Sequence, residues 1–117
     1  GANMTESSGI FSFPQTGIYL VELYTQWYYY SGESVFNGTY IAVTSNNADY
    51  TSLGSYFCYI PNVSNAYQST AQSAIVDCTN TTNVKVKFQY QTNGSVKIGG
   101  DTDANHTHVN FIYLGDT

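Results

Sequence analysis

The chain's two histidines stand two apart, in His106-Thr107-His108. Side chains alternate across a strand, so an extended backbone places both imidazoles on one side. Imidazole nitrogen suits iron, nickel, copper or zinc. Two such nitrogens are too few to hold an ion by themselves, and a pair of surface or interface histidines is the plainer reading. Just upstream, Asp101-Thr-Asp-Ala-Asn105 offers oxygen ligands at alternate positions, as calcium loops do. It lacks the internal glycine and the closing glutamate of an EF-hand loop, so a solvated acidic turn is the plainer reading here as well.

A third cluster is aromatic. Trp27-Tyr-Tyr-Tyr30, followed by Ser31-Gly32-Glu33, could stack a sugar ring on an aromatic face while Glu33 takes its hydroxyls. This makes Trp27, Tyr28, Tyr30 and Glu33 candidate ligand residues. Alternation sends half of such a run into the core, which leaves Tyr28 and Tyr30 as the outward candidates.

For catalysis the residues offer little. Serines are plentiful, but no Gly-x-Ser-x-Gly elbow occurs and both histidines share one segment. The eight acidic residues are scattered, with no pair suited to glycosidase chemistry. No glycine loop with Lys-Ser/Thr is present to cradle a phosphate. No catalytic residue is assigned, and the chain reads as a binding or structural protein. A polysaccharide hydrolase is the enzyme alternative.

Composition narrows the partners. Charged residues make up 9% of the 117, against roughly a quarter in ordinary soluble domains. The only cations are Lys85, Lys87 and Lys97, and the net charge is −5. A nucleic-acid binder must displace phosphate counterions, and three lysines supply no basic stripe. The same deficit opposes docking on anionic membranes, and no apolar run reaches the ~20 residues of a membrane span. Solubility must come from uncharged Ser, Thr, Asn and Gln, a composition common on secreted and virion proteins. Hydrophobic residues at 42% are enough for a single core. Cys58 and Cys78 are too few for a disulfide framework, and both are expected free. A hairpin turning at Asn62 to Ala66 would keep them apart.

The elements that must position these residues read as strands throughout. Ile10 to Phe13 stops at Pro14, and Ile18 to Tyr30 follows with Tyr19, Val21, Leu23 and Trp27 on one face. Thr39 to Thr44, Ser55 to Ile60, Gln72 to Cys78 and Val84 to Tyr90 come next. The last has the clearest alternation: Val84, Val86, Phe88 and Tyr90 against Lys85, Lys87 and Gln89. Val96 to Ile98 is short, and Thr107 to Leu114 closes the chain. Strands at this spacing, with no helical period, predict a sandwich or jelly roll. Residues 1–7 carry no such signal and are expected to be disordered or tag-derived, with the domain spanning 8–117. In the closing strand Val109, Phe111 and Tyr113 take one face, and Ile112 and Leu114 the other. A strand apolar on both faces must be covered twice, by its own core and by a loop or a neighbouring subunit.

Gly9-Ile-Phe-Ser-Phe-Pro-Gln-Thr-Gly-Ile-Tyr-Leu20 resembles the first two strands of the complement-type (C-one-q) globular head. Ala71-Gln-Ser-Ala-Ile-Val76, Val84-Lys-Val-Lys-Phe88 and Asn105 to Leu114 resemble its later strands in the same order. The resemblance covers most of 8–115 and lapses between Tyr24 and Asn65. It implies an all-β, TNF-like jelly-roll sandwich of about 8–10 antiparallel strands, assembled as a compact homotrimer. The first and last strands would share the inner sheet at the threefold contact, with His108, Asn110, Ile112 and Leu114 in the interface. The ending Phe111-Ile-Tyr-Leu-Gly-Asp116 also resembles bacteriophage tail-fibre and virion-surface proteins.

The same resemblance implies a virion-surface head that binds a host-cell glycan or protein. The alternatives are a secreted complement-type recognition domain and a pure trimerisation or capsid-cementing module. No cofactor is required. In a trimer, three His106/His108 pairs could offer six nitrogens to iron or nickel. The calcium of complement-type heads adds weight to Asp101, Asp103 and Asn105 as ligands. In a phage protein the Asn-x-Ser/Thr sequences at Asn37, Asn62, Asn80, Asn93 and Asn105 are turn chemistry rather than glycan acceptors.

Overall fold

A computed structural model describes residues 2–117, and among them there are strands and no helix. In chain order they are β1 (Thr5–Ser7), β2 (Ile10–Ser12), β3 (Gly17–Tyr29), β4 (Ser34–Thr44) and β5 (Tyr50–Ile60), then β6 (Tyr67–Cys78), β7 (Lys85–Thr92), β8 (Val96–Ile98) and β9 (His108–Gly115). All pairings are antiparallel. One sheet has the order β1-β2-β7-β4-β5. In the other, β3 is central: β6 lies along one side, and β9 and then β8 take successive stretches of its other side.

The long strand β3 organises the core. Its odd residues Tyr19, Val21, Leu23, Thr25 and Trp27 are buried, as alternation predicts. Tyr19, Val21 and Leu23 join Phe13, Ile41, Val76, Cys78, Val84 and Val86 in one apolar cluster that draws on both sheets. Trp27 anchors a second, smaller cluster with Ile60 and Val96. The inward set of β7 ends on Tyr90, whose ring meets Trp27 edge-on at 5.9 Å.

Buried polar groups accompany the smaller cluster. The Asn37 side chain is fully buried. Its Nδ2 donates to the carbonyl of Cys58 at 3.1 Å, and its Oδ1 accepts from the hydroxyls of Ser34 and Thr92. Thr39 donates to Gln72 Oε1, whose Nε2 in turn reaches the carbonyl of Gly54. Satisfied networks of this kind tolerate burial, whereas a lone amide would not. A register shift in β4 between Ser34 and Asn37 lets both residues of an i, i+3 pair turn inward, as a bulge does.

Several expectations are corrected. Thr5–Ser7 is not disordered: it pairs with Ser12–Ile10 across a tight turn at Ser8-Gly9, where both residues have positive φ (52° and 79°), as a type I′ hairpin requires. Ala2 to Met4 carry no strand, though Met4 packs against the larger core cluster, and Gly1 lies outside the described residues. The segment from Asn62 to Ala66 is not a hairpin turn. It carries the chain from β5 in one sheet to β6 in the other. The cysteines are free all the same, Cys78 in the larger cluster and Cys58 against the smaller. Burial raises both thiol pKa values above the ordinary range. The first and last strands do not share a sheet, since β1 and β2 extend β7 while β9 pairs with β3. Asn37 lies within β4 rather than at a turn.

Candidate functional site

The outer face of the smaller sheet brings most of the sequence candidates together. Even residues of β3 point outward, and strand register aligns them in rows with their neighbours. One row is Ile75, Leu20 and Ile112; the next is Ser73, Glu22 and Asn110. Then come Ala71, Tyr24 and His108, and at the far end Tyr67, Tyr28 and Lys97. The face therefore changes from aliphatic to aromatic over the eight steps from Leu20 to Tyr28, about 26 Å at ~3.3 Å per residue.

At the aliphatic end Ile75, Ile112 and Leu114 are 59%, 43% and 54% exposed. The opposite side of β9 behaves as its pattern predicts, with Val109 and Phe111 packed on the core. Thus β9 is covered once by its own chain, and its second apolar face is open.

Glu22 ties the middle rows together. One carboxylate oxygen accepts from the Tyr24 hydroxyl at 3.0 Å, and the other faces Asn110 Nδ2 at 3.5 Å. The hydrogen bond to Glu22 holds the Tyr24 phenol above its ordinary pKa. The Tyr24 ring stacks on His108, with centroids 4.8 Å apart and planes 13° from parallel. His108 Nδ1 is buried without a hydrogen-bond partner.

The histidine pair is only partly as expected. β9 begins at His108, so His106 lies in the preceding loop, held by a backbone bond from its amide to the Ala104 carbonyl. Both histidines nevertheless line one cavity of about 240 Å³ beside Tyr24. Asp101, Asp103 and Asn105 are exposed in the same loop, where Asp101 Oδ1 accepts from the Asp103 amide at 2.7 Å. Among the described residues no three His, Cys, Asp or Glu side chains converge.

The aromatic candidates separate. Trp27 is fully buried and donates from Nε1 to Thr70 Oγ1 at 3.3 Å, which removes it as a stacking platform. Glu33 is engaged by the Tyr59 hydroxyl. Tyr30 is exposed, with Lys97 Nζ 3.7 Å from its ring centroid. Tyr28 lines a cavity of about 450 Å³, together with Gln26, Tyr67, Gly99, Gly100 and His106. The Tyr28 and Tyr67 rings are neighbours, 5.8 Å apart and tilted by 32°.

Two residues of this cavity, Tyr67 and Gln26, escape sequence reasoning. Tyr67 opens a strand whose sequence signal begins only at Gln72. Gln26 is indistinguishable by type from any other polar residue of an alternating strand. The sequence matches no protein-family model and no curated protein.

Proposed function

We propose that this chain is a non-enzymatic, homotrimeric head domain of a virion fibre or surface decoration, whose task is recognition of a host-cell surface. One observation carries the reading: Ile75, Ile112 and Leu114 lie exposed around the half-buried Leu20 on one sheet face. An exposed apolar patch of this kind is the mark of a contact. An open apolar sheet face can be covered by another copy of the chain, and a heterologous contact that closes after three copies gives a trimer.

The sheet orders support a jelly roll of the complement-head and TNF type. Strands β2, β7, β4 and β5 oppose β9, β3 and β6, so that successive strands repeatedly cross from one sheet to the other, as two Greek keys require. The non-enzymatic part rests on the chemistry of the face. His106 and His108 have no serine or carboxylate hydrogen-bonded to them among the described residues, and the acids there either brace tyrosines or lie in an open loop. An iron or nickel ion on three histidine pairs would require the trimer to bring three His108 side chains near one axis.

Light scattering of the purified chain at micromolar concentration tests the assembly. The expected mass is three times 12.9 kDa. A species of 12.9 kDa across the concentration range refutes the trimer and, with it, this reading of the aliphatic row.

A further inference from the structure

We infer that the cleft between Tyr28, Tyr67 and the loop from β8 to β9 is a binding site for neutral saccharides. This rests on the recognition reading above and names its ligand class.

The cavity, about 450 Å³, lies within the range of small-ligand sites. Its floor is the pair of neighbouring rings, Tyr28 and Tyr67, the latter 60% exposed. An exposed aromatic face complements the C–H side of a pyranose. Polar groups surround it: the side-chain amide of Gln26, two phenol hydroxyls, the His106 imidazole and the backbone at Gly99 and Gly100.

The polar side chains of this cleft are unoccupied. Some tyrosine hydroxyls have acceptors in the chain, among them Tyr19 with the Gln15 carbonyl, Tyr24 with Glu22, Tyr40 with Gln91, Tyr59 with Glu33 and Tyr113 with Asp116. No such hydrogen bond among the described residues engages Tyr28, Tyr67, the Gln26 amide or the His106 ring. Two phenols, an amide and an imidazole with free donors and acceptors therefore line one cleft, the phenols also supplying its aromatic faces, the combination a polyol needs.

Glycine at 99 serves the same arrangement. A Cβ there would stand 2.4 Å from Gln26 Oε1, so the absence of a side chain is what lets the amide lie across the loop. The Gly99 amide also donates to the Gln26 carbonyl at 2.8 Å, which pins loop and strand together.

Charge selects within the class. The chain carries a net charge of −5, and the cation beside the cleft, Lys97 in register with Tyr28, lies over the Tyr30 ring. A sialic acid, uronic acid or phosphate would approach a chain of its own sign, whereas an uncharged hexose or N-acetylhexosamine meets only hydrogen-bonding groups.

Saturation-transfer NMR and titration of the intact chain with lactose, cellobiose and N,N′-diacetylchitobiose test the site, with sialyllactose as the anionic probe. At least one neutral disaccharide is expected to bind, with saturation passing from the aromatic protons of the chain to the C–H protons of the sugar. Tyr67→Ala is expected to weaken it about tenfold. Gly99→Ala, which displaces only the end of a flexible side chain, is expected to weaken it severalfold. Absence of binding by all three neutral sugars, affinity unchanged in Tyr67→Ala, or preference for sialyllactose would each overturn the proposal. Mass measured on the same samples separates the two readings. A monomer that binds sugar refutes the assembly and not the cleft; a trimer that binds none refutes the cleft and not the assembly.

Discussion

The two ends of one sheet face are built from the same strands and differ in almost everything else. At the aliphatic end Leu20, Ile75 and Ile112 present side chains with no polar atom, above the larger apolar cluster around Val21, Leu23 and Val86. At the aromatic end Tyr28 and Tyr67 flank Gln26, above a small cluster of Trp27, Ile60 and Val96 beside the buried amide of Asn37. An aliphatic surface gains only by excluding water, so it fits another apolar surface. A face of rings and free hydrogen-bonding groups fits a ligand that is itself half apolar and half polar. Strand register thus assigns such roles in rows, each row drawing on three strands.

A charge at the aliphatic end should abolish the contrast most completely. Ile112→Asp places a carboxylate in the proposed contact, where burying an unpaired charge costs several kcal/mol per copy. It is expected to convert the trimer to single chains in light scattering. Since Ile112 is exposed in the single chain, monomer stability should change by no more than about 0.5 kcal/mol. Saccharide affinity per site should match that of the unaltered chain. A trimer that survives this substitution places the contact elsewhere.

Next in size is the support beneath the aromatic end. Trp27→Ala removes the largest fully buried side chain and is expected to lower unfolding free energy by about 3–5 kcal/mol in urea denaturation. A loss below about 1 kcal/mol would mean that the smaller cluster contributes little to folding.

Asn37→Ala is expected to cost about 1–3 kcal/mol, because it leaves the Cys58 carbonyl and two hydroxyls without their partner. Deuterium exchange should increase first in β4 and β5 near the shift. Uniform exchange across both ends would argue against a locally weaker half.

The smallest effect is alkaline. Hydrogen bonds to Glu22, Glu33 and Asp116 raise the pKa of Tyr24, Tyr59 and Tyr113, and burial raises that of Tyr19 and Tyr90. A pKa higher in the folded than in the unfolded chain means that stability is fully present below the ordinary phenol value of about 10. It is lost as pH rises through the higher folded values. Chemical denaturation should therefore give constant contributions from these groups from neutrality to pH ~9 and a decline above ~10. Glu22→Gln should remove the share of Tyr24. A decline already complete by about pH 9 would contradict the assignment.

Much of this is readable from residue types. The alternation of β3 puts Tyr19, Val21, Leu23 and Trp27 inward, and β9 is apolar on both faces, one packed on the core and one exposed. Tyr28 is readable as an outward candidate by the same alternation that puts Trp27 beside it in the core. Ser34 to Phe36 and Tyr50 to Gly54 lack the strand signal because one stretch contains a bulge and the other lies on a sheet edge with both faces wet. Tyr67 and Gln26 carry no motif at all: they are 41 positions apart in the chain and meet on neighbouring strands of the smaller sheet.

By itself, the order of apolar and polar residues determined that the chain forms strands, which side of β3 and β7 is buried, and that no basic surface exists. A strand's two faces are encoded in its own alternation, so these features need no partner to be specified. Only the tertiary structure decided which strands lie side by side, and hence that Tyr67 faces Tyr28 and that Ile75 and Ile112 flank Leu20. Pairing depends on sheet order and register, which arise from contacts between segments far apart in the chain and leave no local mark.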